Sequence, residues 1–387
     1  MSIALGSKAS KRDRCQEFVE TLGIIISFAL KEQALFVLER ETLVAKRALL
    51  TLREEPEFRL HHSLQVDLLT DSTSVISCLS VVDSIPWAFS HQFEEYVAEK
   101  AKRSKIFLEN LRFIEEFNGA VNRTYKVGLN KFSDLTNEEF VAAYTGYKLP
   151  SSTRRNSSQV NSFKYQGLNS IPESVDWVKQ GAVNPIKNQG QCGSCWSFSV
   201  VAAVEAITQI TTGVLPNLSE QQLIDCATDG NQGCQGGWMD NGFKYIINNN
   251  GISSETNYPY VGVDSTCDVQ ASSVAEAKIS DYRDVPPNED DMLKAVAMQP
   301  VSVALDSSGA AFQNYAGGVF TGPCGTELNH AVTVVGYGTD TDGMKYWLMR
   351  NSWDVSWGES GYMRIQRDSG VEGGLCGIAS KVSYPVA

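Results

Sequence analysis

Two hydrophobic periods divide the chain. Between residues 90 and 147 the repeat is helical: Glu99, Arg103, Phe107, Asn110, Ile114 and Asn118 follow one another at steps of three or four and fall on one stripe. From 196 to 213 the run is almost wholly apolar at helical spacing, which predicts a long central helix stopped by glycine. Shorter helical patterns occupy 219–226 and 236–250, the second ended by asparagines and a glycine. After about residue 275 the period falls to two, and 301–305, 331–337, 346–350 and 362–365 predict strands between glycine-rich turns. Helices first and strands later make an α+β domain of two lobes.

The remaining segments carry weaker patterns. In residues 1–89 a basic stretch (Lys8, Lys11, Arg12, Arg14) precedes an apolar run at 22–30. That run is too short to span a bilayer and late for a secretory signal, so it reads as a core or amphipathic helix. Residues 148–170 are rich in serine, asparagine and arginine and read as an exposed connector open to proteolytic nicking.

The length of 387 residues allows two or three domains, and 42 % hydrophobic with 20 % charged residues is an ordinary globular balance. A net charge of −12 argues against nucleic acid as a partner. The charge is uneven: 90–170 holds 12 basic and 9 acidic residues, whereas 171–387 holds 11 and 24. A basic segment ahead of an acidic domain fits a self-docked prosegment that mild acid would loosen.

Of nine cysteines, Cys15 and Cys78 lie in the leader and seven follow residue 190. Seven is odd, so six can pair and one remains as a reactive thiol; six allow 15 connectivities. Cys195 is the candidate thiol. It sits where a loop with Gly190 and Gly193 turns into the central helix, and a helix N-terminus favours the thiolate. Of the four histidines only His330 lies downstream, so a Cys–His pair in the C-terminal half is Cys195 with His330.

Cys192-Gly193-Ser194-Cys195-Trp196, His330 a further 135 residues on, and then Asn351-Ser352-Trp353 resemble the papain-like cysteine proteases over about residues 90–387. The resemblance implies a two-lobed papain-like fold, a helical left lobe and an antiparallel barrel-like right lobe, behind a helical inhibitory propeptide. The helical stripe resembles the propeptide's interrupted motif, and Gly128, Asn130, Phe132 and Asp134 resemble its second motif. Ser104 stands where the family has an apolar residue, which implies weaker inhibition. The implied domains are an unmatched extension at 1–89, the propeptide at 90–147, a cleaved linker at 148–170 and the mature peptidase at 171–387.

The same resemblance implies roles. Cys195 is the nucleophile, His330 the proton carrier, Asn351 the group orienting His330, and Gln189 with the Cys195 N–H the oxyanion donors. Trp353 shields the His330–Asn351 bond and also stands among the implied substrate-binding residues. Gly236 and Gly237 hold an extended substrate, with Asn329 beside them. Trp238, Met239, Ala304, Leu328, Ala331 and Lys381 form the main side-chain pocket, which implies a bulky apolar residue at P2, the second position before the scissile bond. Lys381 either admits an acidic side chain or turns outward. Implied disulfides are Cys192–Cys234, Cys226–Cys267 and Cys324–Cys376, which with sequons at Asn122, Asn156 and Asn217 place the chain in the secretory pathway, a vacuole or lysosome-like compartment, or outside the cell.

The implied function is a cysteine endopeptidase made as a zymogen, most similar to plant members. Its partners would be protein and peptide substrates, its own propeptide and cystatin-type inhibitors, with the chain a monomer and no cofactor or metal. Asp354, where the family has glycine, implies a small stability cost if the backbone there takes a positive φ. Three other readings compete: a redox dithiol at Cys192/Cys195, a zinc site, and a catalytically silent relative acting as a binding or inhibitor protein. The first lacks a βαβ context and the second lacks ligands.

Overall fold

A computed structural model of the protein describes residues 87–148 and 163–387, with only the helical backbone described up to residue 97. The leader with Cys15 and Cys78, the Asn156 sequon and most of the connector lie outside the described residues. By internal packing the chain divides into a unit ending at Lys100 and one spanning Ala101–Ala387.

The prosegment is built from α1 (Trp87–Gly119), β1 (Tyr125–Val127) and α2 (Asn137–Tyr144). Thr136 and Glu139 close a reciprocal capping box at the start of α2. Glu139 also takes two hydrogen bonds from the Arg103 guanidinium, which reaches on to the carbonyl of Asp134 at 3.0 Å. Asn110 donates to the carbonyls of Ser133 and Leu135, and Asn118 bonds both the N–H and the C=O of Val127. Arg103, Asn110 and Asn118 of the helical stripe therefore read the backbone of the segment folded against them, while Ile114 is buried and Phe107 half-buried. Ser104 is exposed, so the missing apolar side chain there leaves no void.

The second part opens with β2 (Val175–Asp176), followed by the helices α3 (Cys195–Thr212), α4 (Glu220–Cys226), α5 (Met239–Asn248) and α6 (Val269–Ser272). Helix α3 is buried from Cys195 to Ile207 and ends at Gly213, whose φ of 80° lets its N–H cap the Gln209 carbonyl. Then come β3 (Asp281–Asp284), α7 (Glu289–Met298), β4 (Val301–Leu305), α8 (Ala310–Gln313) and the strands β5 (Tyr315–Phe320), β6 (His330–Thr339), β7 (Lys345–Arg350), β8 (Tyr362–Gln366) and β9 (Val382–Val386).

The strands join in the order β1-β5-β8-β7-β6-β4-β9-β3, with β2 beside β6. All pairs are antiparallel except β5 with β8, so the right lobe departs from a wholly antiparallel sheet. The prosegment supplies the β1 edge, where Tyr125 faces Gly318. In the centre, Leu305 pairs with His330 and Ala304 with Ala331, which puts His330 at the open end of β6. One core lies under the sheet around Phe312, Trp347, Trp353 and Trp357; the other surrounds α3 with Trp196, Val200, Met239 and Phe243. Helix α7 falls in the stretch read as β-rich; its signal was Asn288, whose side chain caps Asp291, followed by Glu289, Asp290 and Asp291 in the first turn.

Hydrogen bonds from Arg103 and Lys102 hold the partly exposed Glu139 carboxylate down to about 2. A depressed acid stabilises the folded prosegment above its ordinary carboxylate value and loses that stabilisation only as pH falls towards about 2. Arg103→Gln should therefore lower the melting temperature of the unprocessed chain equally at pH 7 and pH 5. If the loss at pH 5 were much smaller than at pH 7, the clamp would be weaker than its geometry implies.

Candidate active site

Cys195 begins α3 at the seam where that helix meets the sheet, and it is the free cysteine among the described residues. Three disulfides, Cys192–Cys234, Cys226–Cys267 and Cys324–Cys376, hold the others, with Cα separations of 4.6, 4.8 and 5.2 Å. The Cys192–Cys234 link ties the loop just before Cys195 to the Gly236–Gly237 segment. The Ala331 N–H points at Cys195 Sγ from 3.4 Å, so β6 delivers the neighbour of His330 directly to the thiol.

His330 is fully buried. Its Nε2 lies 2.8 Å from Asn351 Oδ1, which also accepts the Ser352 N–H at 2.8 Å. An amide oxygen only accepts, so Nε2 carries the proton and Nδ1 is the basic nitrogen. Trp353 stacks on the imidazole at 4.4 Å with the planes 20° apart and covers the His330–Asn351 bond. Gln189 is fixed at both ends of its amide: Oε1 accepts from the Ser352 hydroxyl at 2.6 Å, and Nε2 faces the carbonyls of Cys192 at 2.9 Å and Tyr144 at 3.3 Å.

The prosegment runs through this cleft. The Gly146 N–H donates to the Asn329 carbonyl and lies against Sγ; Tyr147 N–H reaches the same carbonyl at 2.9 Å. Gly146 C=O and Lys148 N–H bond the two backbone groups of Gly237 at 2.9 and 3.1 Å, in a parallel bridge. Only glycine fits at 146, because a Cβ there would fall 2.0 Å from the Gly193 carbonyl oxygen. The side chain of Tyr147 is buried in the same apolar cluster as Met239, Ala304 and Ala331, with Trp238 and Leu328 packed against it. Lys381 lies across the Trp238 ring, bonded to Asp240 at 2.9 Å and Asp284 at 2.6 Å. It neither turns outward nor stands free. Trp353 is not part of this cluster; it packs with Phe132 and Phe140 of the prosegment on the other side of His330.

Covering the cleft sets its electrostatics. Burial pushes the Cys195 thiol up to about 12, against the pull of the N–H groups of Ala331, Gly146, Trp196 and Cys195 itself. Burial likewise lowers His330 to about 4, opposed by its bond to Asn351. In the covered state both shifts favour the neutral thiol and the neutral imidazole. Tyr144, Gly146 and Tyr147 carry no recognisable signal in the chain, and Ser352, though inside the Asn351-Ser352-Trp353 motif, suggested no role of its own; Gly146 is legible only once its approach to Gly193 is known. Asp354 adopts a φ of 68°, the left-handed backbone that glycine takes without cost.

Residues 171–386 match the model of the papain family cysteine proteases, and residues 87–140 that of the cathepsin propeptide inhibitor domain. Vignain of Ricinus communis is 48 % identical over 303 residues, 78 % of this chain and 84 % of the relative. The senescence-specific cysteine protease SAG12 of Arabidopsis thaliana is 49 % identical over 307 residues, 78 % and 88 % of the two chains. Among solved structures, the proform of the ragweed pollen allergen Amb a 11, a cysteine protease, aligns with a TM-score of 0.69 at 42 % identity, covering 74 % of this chain and 80 % of that one. A recombinant stem bromelain precursor gives 0.67 at 42 % identity over 77 % and 98 %.

Gly146→Val should loosen the segment lying over Cys195. Overpacking of this kind costs about 1–3 kcal/mol, so thiol alkylation in the unprocessed chain should accelerate by about ten- to a hundredfold. An unchanged alkylation rate would mean that this segment does not control access to the thiol.

Proposed function

The chain belongs to the papain family of cysteine proteases and is a cysteine endopeptidase made with its propeptide, and from that premise we propose how its residues divide the chemistry. When the prosegment leaves, water returns, and the Cys195 proton passes to His330 Nδ1 to give a thiolate–imidazolium pair. The thiolate attacks the peptide carbonyl carbon, and the C=O electron pair moves onto oxygen. Gln189 Nε2 and the Cys195 N–H receive that charge. The intermediate collapses as the C–N bond breaks and the imidazolium gives its proton to the leaving amine. Water then attacks the acyl-enzyme, His330 takes its proton, and the thiolate departs. Asn351 keeps Nε2 protonated and Nδ1 aimed at the thiol, with Trp353 excluding water from that bond. The observation that carries the assignment is the convergence on one seam of a free thiol, the Ala331 N–H at 3.4 Å and the His330–Asn351 bond at 2.8 Å.

Gly237 and the Asn329 carbonyl, now bonded to the prosegment, are the backbone partners of an extended substrate, with Gly236 beside them, where a Cβ would meet the Gly146 carbonyl oxygen at 2.6 Å. The apolar cluster around Tyr147 takes the P2 residue, a bulky apolar or aromatic side chain. Lys381 is committed to two carboxylates, one of them the buried Asp240, so it is not free to pair with an acidic P2 residue. The propeptide at 90–147 is the intramolecular inhibitor, 148–170 the segment cut on activation, and 171–387 the mature enzyme. Cystatin-type inhibitors would bind the same cleft, and the mature enzyme acts as a monomer. Three disulfides point to an oxidising route, vacuolar, lysosome-like or extracellular. Among the described residues no helix is long and apolar enough to cross a membrane.

Acid incubation of the purified chain, then labelling with a thiol-alkylating epoxide, tests the assignment. Label on a fragment beginning near Ile171, absent in Cys195→Ser, is the expected result; a soluble, processed fragment that takes no label would overturn it. In a P2 peptide library Tyr, Phe and Leu should exceed Gly, with Asp and Glu poorest. Equal turnover of Leu and Gly, or good turnover of Glu, would refute the pocket assignment.

A further inference from the structure

Gln189 and Cys195 stand at the two ends of a short loop, and the geometry that matters for an oxyanion is the distance between their donors. The loop has little regular structure of its own: Gly190 turns it with a φ of 61°, and Ser194 caps α3 without a side-chain bond to the helix. Yet a single side chain from elsewhere touches both ends. The Tyr260 hydroxyl donates to the Gln189 carbonyl at 2.6 Å and lies 3.0 Å from Ser194 Oγ. A carbonyl only accepts, so the tyrosine proton goes to Gln189 and the Ser194 hydroxyl donates to Tyr260. Burial pushes the phenol up to about 12, which keeps that proton in place at any working pH.

We propose that Tyr260 is a positioning residue for the oxyanion site, holding Gln189 Nε2 and the Cys195 N–H at a fixed separation. The Ser194 carbonyl and the Cys195 N–H belong to one peptide unit, so a bond to Ser194 restrains the second donor directly. On the other lobe Gln189 is tied through its N–H to the Ser352 carbonyl at 2.9 Å and through Oε1 to the Ser352 hydroxyl. Tyr260 supplies the opposing tie from the helical lobe. Its own place is set by Phe198 of α3, edge-on at 5.0 Å, and by the bond from its N–H to Glu255 at 2.8 Å. Without the hydroxyl the Gln189 carbonyl loses its bond, and the loop gains freedom along the line between the two donors. A group acting through Gln189 affects the step in which charge reaches the carbonyl oxygen, and it leaves substrate binding at Gly237 and the ionisation of the thiol alone.

The proposal rests on the oxyanion role assigned to Gln189, and the test separates the two. The full chain is processed in acid and active sites are counted by epoxide titration. Tyr260→Phe, which keeps the ring against Phe198, should lower kcat about tenfold, a fraction of the ~10²–10³ that a whole oxyanion donor is worth, with KM unchanged. Alkylation of Cys195 by chloroacetamide, which forms no oxyanion, should keep its rate. In a Gln189→Ala background Tyr260→Phe should cost little more. Ser194→Ala, cutting the other end of the bridge, should lower kcat by less, also with alkylation intact, and serves where Tyr260→Phe folds poorly. A Tyr260→Phe enzyme with full kcat, one that loses kcat and alkylation together, or one equally impaired with and without Gln189 overturns the positioning role. Gln189→Ala at full turnover would instead remove the oxyanion role itself.

Discussion

Everything at the site depends on how the start of α3 is seated against β6. The contact is polar as well as apolar: the Ser199 hydroxyl donates to the Val332 carbonyl at 2.7 Å, and the Ser302 hydroxyl to the Ser199 carbonyl at 2.9 Å. Buried bonds of this kind specify one register, because any slide leaves a carbonyl unpaired in a dry interface. With the register set, Ala331 N–H meets Cys195 Sγ and His330 follows from the strand end without a further device. The proposed nucleophile, Cys195, and its proposed base, His330, thus come from different lobes yet share one packing interaction. A change that shifts α3 on the sheet disturbs both at once.

The prosegment occupies the backbone groups of Asn329 and Gly237 that are proposed for a substrate, and it withholds solvent. Tyr147 is buried in the apolar cluster proposed for the P2 residue and Gly146 lies over the thiol, so a substrate is excluded by geometry. The second effect is dielectric. With water gone the ion pair is the costlier state, and burial moves thiol and imidazole in opposite directions towards neutrality. Blocking and disarming are one event, reversed together when the segment departs.

Much of this was legible in the chain, for identifiable reasons. The apolar run of α3 and its glycine stop encode a buried helix, and the structure places it at Cys195–Thr212 with Gly213 as cap. Strands β4, β6, β7 and β8 fell within a residue or two of the alternating segments. The single downstream histidine narrowed the candidate pair by elimination. What the chain hid are contacts between distant segments whose members look ordinary alone. Ser352 and Tyr260 are a serine and a tyrosine until Gln189 is seen between them. Helix α7 was hidden differently, by lying inside a region whose dominant period is two. Lys381 could be read two ways because its partners, Asp240 and Asp284, come from separate elements.

The buried charges follow a common design that bears on where such a fold works best. Lys187 spans Glu205 and Glu220 at 3.2 and 2.7 Å, as Lys381 spans Asp240 and Asp284. In both cases the ammonium meets one oxygen of each carboxylate, and Glu205 Oε2, Glu220 Oε2 and Asp240 Oδ1 remain buried without a partner. Burial raises Glu220 and Asp240 above the ordinary carboxylate range, in spite of the lysines. A raised acid binds its proton more readily folded than unfolded, so stability is greatest below the unfolded value and declines as pH rises through the folded one. Lower pH therefore relieves these clusters by protonating the raised carboxylates, which keep an oxygen without a partner. Glu139 in the prosegment has the opposite sign and stays ionised in the same range. Among the hydrogen bonds that join prosegment to enzyme, those from Thr124, Asn130 and Gly146 do not titrate, whereas Lys131, bonded to Asn188 at 3.1 Å and attracted by the Asp354 carboxylate, carries charge across the junction. Lys131 facing Asp354 is one point where a positive prosegment meets the acidic domain, beside the raised carboxylates buried within the catalytic fold.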